Sequence, residues 1–265
     1  MITHDTRKAA LLSAVLLTAC ATVPYTGRRQ MNLMSASEEN QLGEDAYKDL
    51  LQKAKISTGR EKLDLVRRVG RRIAAAADRP DFRWEFTLIE DDTQVNAFCM
   101  PGGKVAFYTG ILPVTQNEDG AAVVMSHEIA HALARHGAER MSQGKLAQFG
   151  GQALSLVLAG KSIPAKELIG EAYGLGVGVG VMLPLSRAHE SEADKIGLIL
   201  MAKAGYNLEE AVAFWQRMEE AAAGKGADNP LARFLSTHPS GGQRIGQIKG
   251  WLPEIKAQYY RPSLK

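Results

Sequence analysis

Apolar residues along this chain recur mostly at the three- and four-residue spacing of amphipathic helices. Leu63, Val66, Val69 and Ile73 follow that spacing and predict a helix over about 60–77. Polar residues that can cap a helix, and glycine or proline residues that interrupt one, bound the other predicted helices. These cover about 38–55, capped by Ser37; 117–136, begun by Asn117 and stopped by Gly137; 186–204; 208–223, capped by Asn207; and 242–251.

Three short runs between the second and third of these helices carry the pattern of strands instead. They cover 84–90, 95–100 and 104–109. Pro101-Gly102-Gly103 joins the last two runs, and because proline fixes one dihedral and glycine permits positive φ, the triplet predicts a turn. We therefore expect an α+β fold that is mainly helical, with a small sheet or hairpin just before the helix over 117–136.

The stretch 146–185 departs from both patterns because it is apolar and rich in glycine and alanine. Four charged residues interrupt it at intervals shorter than a membrane-spanning helix, namely Lys161, Lys166, Glu167 and Glu171. We therefore expect a flexible cover over a site or an apolar docking surface, and the pattern leaves the choice open.

The N-terminus has the pattern of a secretory signal rather than of folded protein. Arg7 and Lys8 precede an apolar run over 9–19 that is too short to span a membrane. Leu17-Thr18-Ala19-Cys20 resembles a bacterial lipobox, which implies that Cys20 is acylated and becomes the mature N-terminus. Ordinary secretion, with Cys20 incidental, is the alternative. By the usual bacterial sorting rule, Ala21 at the next position implies transfer to the outer membrane.

These patterns predict a domain organisation and a location. We expect a signal peptide over 1–19, a lipidated Cys20 with a polar tether over 20–37, and a single domain over 38–265. The expected location is the periplasm, with the chain anchored by lipid to the outer membrane.

Composition narrows the classes of partner. The chain has 265 residues and a formal charge of +3, and its basic residues are scattered without interleaved aromatic residues. We therefore expect no nucleic-acid binding. If Cys20 is lipidated, Cys99 is the one remaining thiol, so no internal disulfide can form. Cys99 is interpreted as a small apolar filler.

The candidate chemistry begins with an H-E-x-x-H run, His127-Glu128-Ile129-Ala130-His131, inside a predicted helix. Histidines four residues apart share one helix face and can hold one zinc ion, while Glu128 can reach a water molecule bound to it. A structural zinc site has four protein ligands, often thiolates, and this chain has too few cysteines. We therefore expect a catalytic site with three protein ligands and one position for water.

The third ligand is predicted in the helix over 186–204. On that helix Glu190 and Asp194 share a face, so Glu190 can bind the metal while Asp194 accepts a hydrogen bond from a ligand imidazole. His136 lies five residues after His131 and points elsewhere on a continuous helix. We therefore expect His136 to interact with the helix terminus and not with the metal.

Several motifs together resemble metallopeptidase family forty-eight, the family of the CAAX prenyl proteases and HtpX. They are the H-E-x-x-H run, Ser186-Arg187-x-x-Glu190-x-Glu192-Ala193-Asp194, Asn96-Ala97-Phe98 before the Pro-Gly-Gly turn, and Thr237-His238-Pro239 followed by Arg244-Ile245. The resemblance covers most of residues 38–250. It implies a zincin-like gluzincin in which His127, His131 and Glu190 hold one zinc ion per chain.

The same resemblance implies catalytic roles. Glu128 would act as the base, and His238, with Arg244 behind it, would stabilise the tetrahedral intermediate. Alternatively, His238 would take the fourth zinc position and keep the enzyme latent. A strand upstream of the metal helix would receive the substrate main chain, and both 96–100, with Asn96-Ala97-Phe98, and 104–108 are candidates.

The expected function follows from the site and the anchor together. Without the transmembrane helices of other family members, the chain is similar to the lipid-anchored periplasmic branch that includes the β-barrel assembly-enhancing protease. We expect an endopeptidase that acts on unfolded or misassembled envelope polypeptides, in contact with the membrane and possible outer-membrane assembly machinery. The alternative is a chaperone-like or adaptor lipoprotein whose zinc site is latent.

Overall fold

A computed structural model describes residues 20–144, 186–222, 231, 234–235, 238 and 242–262. The predicted signal peptide over 1–19 and the apolar stretch over 146–185 lie outside the described residues. The chain divides into two compact units, the first formed by Met1–Glu39 and Arg135–Val181, the second by Asn40–Ala134 and Met182–Lys265. The prediction of a single domain over 38–265 stays a prediction.

The described residues are mainly helical with small sheets, which confirms the predicted fold class. The helices are α1 (Ala36–Lys53), α2 (Arg60–Ala77), α3 (Glu118–Leu133), α4 (Arg187–Lys203), α5 (Glu209–Ala222) and α6 (Gly242–Tyr259). The strands are β1 (Cys20–Thr22), β2 (Arg29–Met31), β3 (Glu85–Ile89), β4 (Ala97–Met100) and β5 (Lys104–Tyr108). Short helical turns, Thr109–Ile111 and Leu112–Thr115, lead from β5 towards α3.

Side-chain caps start the two helices that carry the predicted metal ligands. Asn117 Oδ1 accepts a hydrogen bond from the Gly120 N–H at 2.8 Å, and Ser186 Oγ accepts one from the His189 N–H at 3.2 Å. Acidic residues follow each cap, where the helix dipole favours negative charge. Both starts therefore lie where the polar residues predicted them.

Helix α1 starts earlier than predicted, because Ser35 and not Ser37 is the residue that caps it. Ser35 Oγ accepts a hydrogen bond from the Glu38 N–H at 3.2 Å, and the Glu38 carboxylate accepts one from the Ser35 N–H at 2.9 Å. This reciprocal pair is a capping box, in which each residue satisfies the other's backbone donor.

The sheet of the second unit has three strands in the order β3-β5-β4. Strands β4 and β5 are antiparallel, which confirms the predicted hairpin, and β3 lies parallel to β5 on its other side. Strand β5 is therefore central and its main chain is bonded on both edges, so residues 104–108 cannot receive a substrate strand, and that alternative is wrong. Strand β4 is an edge strand and packs against α3.

Helices α3 and α4 pack closely along their length. Every residue of α3 from Gly120 to Leu133 is buried, which explains why this helix lacks a polar face. Gly197 of α4 lies against α3, where an added Cβ would come within 3.2 Å of both the His127 nitrogen and Ser126 Oγ. The absence of a side chain at position 197 therefore permits the short distance between the two helices.

The end of α3 differs from the prediction of a helix to His136 stopped by Gly137. The helix ends at Leu133, and residues 136–144 are helical again after a break. Arg135 supplies the break because its φ is +54°, in the left-handed region. Its guanidinium pairs with the Glu39 carboxylate at 2.5 Å and donates to the Met34 carbonyl at 2.8 Å.

Helix α6 is longer than predicted, running to Tyr259 through Pro253 instead of ending at Trp251. Proline removes one helical hydrogen bond, which normally ends or kinks a helix. Ile248 and Ile255 are both almost fully buried and lie two turns apart on one face, on either side of the proline. Burial of this face favours a continuous helix over the local preference of Pro253.

The first unit contains structure in the segment predicted to be a tether. Strands β1 and β2 form an antiparallel pair that places Cys20 opposite Met31, and their turn includes Tyr25 and Gly27 at positive φ. Within the same unit Arg28 forms a bidentate ion pair with Glu139, at 2.8 and 2.7 Å. Strand pairing therefore begins at Cys20, the predicted lipidation site, inside the segment predicted to be a tether.

Candidate metal centre

Four buried side chains converge in the second unit, namely His127, His131, Glu190 and His238. One ligand atom from each lies within 4.8 Å of the others. The first two come from α3, one turn apart, and Glu190 comes from the first turn of α4. The structure therefore brings together the three predicted metal ligands and His238, the residue predicted either to stabilise the intermediate or to take the fourth zinc position.

Most of the distances between these atoms are close to those expected around one zinc ion. His127 Nε2 lies 3.0 Å from His131 Nε2, 3.3 Å from His238 Nδ1 and 3.3 Å from Glu190 Oε2. Glu190 Oε1 lies 3.4 Å from His131 Nε2, and Glu190 Oε2 lies 3.2 Å from His238 Nδ1. Zinc–ligand bonds of about 2.0–2.1 Å put neighbouring ligand atoms about 3.3–3.4 Å apart. The donor set, three imidazoles and one carboxylate, also suits zinc.

The electrostatics of the cluster favour a cation. Burial alone would raise the pKa of Glu190, but hydrogen bonds with the three histidines outweigh burial and lower that pKa well below its usual range. Burial alone would lower the pKa of His127, but hydrogen bonds with Asp194 and Glu190 raise it to about 9. A positive charge among these groups is therefore stabilised, whether it is a proton or a metal ion.

Asp194 lies behind the cluster, on the far side of the His127 ring. Its Oδ1 is 3.0 Å from His127 Nδ1, so it accepts the proton of that nitrogen and leaves Nε2 directed at the other ligands. Arg244 forms two hydrogen bonds with Asp194, at 2.6 and 2.7 Å. Both residues are buried, so this ion pair replaces the solvent that each charge has lost.

Two aromatic residues that the sequence did not suggest complete the surroundings. The Arg244 guanidinium lies 3.4 Å from the centre of the Trp215 ring, and that ring stacks on Phe234 with centroids 6.3 Å apart. Phe234 in turn lies 4.7 Å from the His238 ring. A tryptophan in a helix is normally interpreted as a core residue. Only the contact with the Arg244 side chain, which the sequence does not reveal, distinguishes Trp215 from such a residue.

Glu128 faces the cluster without belonging to it. Its Oε1 is buried, accepts no hydrogen bond from any described residue and lies 3.6 Å from His238 Nε2. Burial raises the pKa of this carboxyl group above its usual range. A carboxylate held in this way has a free lone pair and an increased affinity for a proton.

The predicted substrate strand lies beside α3, and no described strand pairs with its outer edge. Tyr108 N–H bonds to the Asn96 carbonyl at 3.0 Å, so in the antiparallel register the main chain of Phe98 also faces β5. The main chains of Ala97 and Cys99 face outward, and Asn96 Oδ1 accepts from the Ala97 N–H at 2.9 Å. Among the described residues, the Cys99 N–H and the Ala97 carbonyl have no partner.

The remaining predictions differ in outcome. His136 is fully buried and is not a member of the ligand cluster, as expected. Desolvation, and then the charge of Glu128, raises the pKa of the Cys99 thiol, in keeping with a neutral filler. Acylation of Cys20 stays a prediction. Thr237 and Pro239, on either side of His238, lie outside the described residues.

Comparison with known proteins gives related metallopeptidases. Residues 61–252 match the model of peptidase family M48. The mitochondrial metalloendopeptidase OMA1 of Schizosaccharomyces pombe is 38% identical over 241 residues, which are 89% of this chain and 67% of that protein. The human OMA1 is 29% identical over 241 residues, 87% of this chain and 45% of its own length.

A bacterial protease is also similar to this chain over most of its residues. The beta-barrel assembly-enhancing protease of Escherichia coli is 26% identical over 247 residues, covering 91% of this chain and 49% of that protein. The chain thus spans between about half and two thirds of the length of these relatives. The family match covers most of the chain, from the start of α2 to the middle of α6, and includes the whole ligand cluster, so the chain belongs to peptidase family M48 and is a metallopeptidase.

Proposed function

We propose that the protein is a zinc-dependent endopeptidase that cleaves unfolded or misassembled proteins of the bacterial envelope. The observation that carries the proposal is the buried cluster of His127, His131 and Glu190, with the unpartnered Glu128 carboxylate beside it. These three side chains would hold one zinc ion per chain. When bound, zinc polarises a peptide carbonyl and lowers the pKa of a water molecule to about 7.

Glu128 is the proposed general base. Its raised pKa and its free Oε1 suit it to take a proton from the attacking water and to deliver that proton to the leaving amine. Asp194 fixes the tautomer of His127, and Arg244 holds Asp194 in place. These two residues act through His127 and not on the substrate.

The outer edge of β4 is the proposed binding site for the substrate main chain. The Cys99 N–H can form a hydrogen bond with an extended peptide, whereas Ala97 is 1% exposed and its carbonyl is buried. Recognition through main-chain atoms selects extended conformation more than sequence. An enzyme that removes unfolded proteins requires this kind of selectivity.

His238 is the proposed fourth zinc ligand of a resting state. Its Nδ1 lies 3.3 Å from His127 Nε2 and 3.2 Å from Glu190 Oε2, so it could bind the same ion as these two residues. A zinc site closed by four protein ligands has no position for water. Activity would then require His238 to leave, after which its imidazole can donate a hydrogen bond to the tetrahedral intermediate.

The proposed setting is the periplasmic face of the outer membrane, with Cys20 as the lipid anchor. The lipobox supports it, and so does similarity to a protease whose name refers to β-barrel assembly. The OMA1 relatives are mitochondrial by name, so family similarity alone does not decide the compartment. Within the described residues, no helix is long and apolar enough to cross a membrane.

The test combines metal analysis with hydrolysis of unfolded casein. We expect one zinc ion per chain, activity that is lost on chelation, and a loss of about 100-fold or more in Glu128→Gln with its zinc content unchanged. Activity that persists in Glu128→Gln would overturn the proposal. The closed four-ligand geometry also favours an adaptor role with a latent site, which rescue of an envelope-stress phenotype by Glu128→Gln would support.

A further inference from the structure

A groove of about 830 Å³ lies between α2 and the strand β3, within the second unit and on the opposite edge of the sheet from β4. Arginine side chains line its helical wall, and aromatic side chains line its strand wall. The residues used below are Arg67, Arg71, Phe82, Trp84 and Phe86. None of them contributes to the metal cluster or to the surroundings described for it.

The helical wall carries positive charge at Arg67 and Arg71. Two acidic residues also line the groove, Asp78 at the end of α2 and Glu85, whose carboxylate pairs with Lys104. Arg68 and Arg72, on another face of α2, both pair with Glu118. Arg67 and Arg71 are exposed and have no acidic partner among the described residues. They lie one turn apart, so their like charges repel each other, and an anion placed between them would relieve that repulsion.

The opposite wall is a row of aromatic rings along the start of β3. The Phe82 and Trp84 rings have centroids 5.2 Å apart, and the Trp84 and Phe86 rings are nearly parallel with centroids 6.2 Å apart. The Phe86 ring packs directly on Gly70, which lies in α2 between Arg67 and Arg71. The apolar wall and the two cations therefore face the same space.

The main chain of β3 is uncovered where it borders this groove. Residues 55–57 cover the far end of the strand, where the Ser57 N–H bonds to the Leu88 carbonyl at 2.8 Å and the Glu90 N–H to the Lys55 carbonyl at 2.7 Å. The N–H of Glu85 bonds inward, to the Gly103 carbonyl next to β5. By alternation, the peptide groups of Phe86 face outward, and they have no backbone partner among the described residues.

We propose that this groove binds an extended, acidic segment of polypeptide. The segment pairs with the main chain of Phe86 as an added strand and places carboxylates against Arg67 and Arg71. Its alternate side chains lie on the aromatic row. This inference rests on the proposed function for its purpose, which is to hold unfolded substrates that carry acidic stretches at a second point, away from the metal.

The occupant is a peptide and not an anionic membrane surface because the site is concave and offers main-chain hydrogen bonds. A flat lipid surface can neutralise Arg67 and Arg71 but cannot pair with the recessed peptide groups of Phe86. Charge complementarity and strand pairing together therefore point to a polypeptide.

The binding test uses the full chain with Glu128→Gln, so that no probe is cleaved. The probe is a fluorescein-labelled octapeptide of alternating glutamate and valine, compared with a peptide in which glutamine replaces glutamate. We expect the acidic peptide to bind about tenfold more tightly, and the double variant Arg67→Glu, Arg71→Glu to remove that difference. The matched control is Lys53→Glu, Lys249→Glu, which has the same charge change at exposed positions outside the groove and should keep the difference.

Further probes distinguish the alternatives. Methylation of alternate main-chain nitrogens of the acidic peptide should abolish binding if a strand is added, and unchanged binding would overturn the proposal. Equal loss in the groove variant and in the control, or no loss in either, would also overturn it. The proposal would also be overturned if vesicles of phosphatidylglycerol bound to the protein through Arg67 and Arg71 and the acidic peptide did not bind. Failure of casein hydrolysis by the wild type would refute the proposed function without changing these binding results.

Discussion

His127 and His131 come from one turn of one helix, whereas Glu190 and His238 come from two distant parts of the chain. The helical repeat alone holds the first two together, and the whole of α3 around them is buried. Glu190 is held by the packing of α4 on α3. His238 lies on neither of these helices. Among the described residues, its ring centroid lies 4.7 Å from that of Phe234 and its carbonyl is 3.5 Å from Arg244 Nη1.

This difference indicates which ligand can move. Displacing His127, His131 or Glu190 would require α3 and α4 to separate, which would expose much of the core. Displacing His238 would not require α3 and α4 to separate, because His238 lies on neither helix. The three ligands on helices therefore make a permanent site, and the fourth is the one suited to controlling access. Four substitutions test this division, in order of decreasing effect on zinc binding.

The largest effect is expected for His127→Ala, which removes a ligand from the rigid pair. Its zinc affinity should fall by more than the roughly 10–100-fold expected for an outer partner, and peptidase activity should be lost with the metal. Competition with a fluorescent chelator measures the affinity. His136→Ala, nine residues along the chain, is the control and should keep its zinc. Full loss of zinc in that variant would contradict the assignment of His127 and His131, and not His136, as ligands.

A smaller effect is expected for Asp194→Asn, which keeps the size of the side chain but removes its charge. Zinc affinity should fall by about 10–100-fold, because His127 loses the partner that fixes its tautomer and raises its basicity. The same chelator competition measures it. Asp64→Asn, on an exposed face of α2, is the control and should bind zinc like the wild type.

His238→Ala should change zinc affinity by less than about tenfold, because three protein ligands suffice for a catalytic zinc site. Casein hydrolysis should increase, since the position for water is no longer closed. A fall in hydrolysis with zinc retained would instead assign His238 to stabilising the intermediate. Loss of zinc equal to that of His127→Ala would contradict the division between permanent and mobile ligands.

The smallest effect on zinc is expected for Gly197→Ala, which touches no ligand. The added methyl would lie 3.2 Å from the His127 nitrogen, so α4 must move outward by a few tenths of an ångström. The free energy of unfolding should fall by about 1 kcal/mol in a urea titration, with a small loss of zinc affinity. Gly250→Ala in α6, where nothing lies within 4 Å of the added atom, should keep its zinc affinity and should gain up to about 1 kcal/mol in the free energy of unfolding, because alanine favours the helix more than glycine does.

The sequence predicts the parts of this molecule that depend on local spacing. His127, His131 and Glu128 follow from a four-residue repeat, and Glu190 with Asp194 follows from a second one. The caps Asn117 and Ser186 are predictable for the same reason. Each cap is a hydrogen bond between a side-chain oxygen and a backbone N–H three residues later, so it does not depend on any other helix or strand.

What the sequence did not predict depends on contacts between distant residues. Parallel pairing of β3 with β5 involves strands separated by β4, and no local alternation encodes it. Helix α6 continues through Pro253 because Ile248 and Ile255 are buried against other helices. Likewise the motif of His238 left its role open between stabilising the intermediate and binding the metal, and its position 3.3 Å from His127 Nε2 depends on the fold.

The outer edge of β4, with which no described strand pairs, also has a consequence for solubility. An edge that can accept an unfolded chain can accept the same edge of a second molecule, which is how sheet proteins begin to aggregate. Here the strand has four residues, and Asn96 already occupies the outward N–H of Ala97 with its own side chain. The edge is therefore too short and too incomplete to template a stack of identical strands, while the Cys99 N–H remains available for the proposed pairing with an extended peptide.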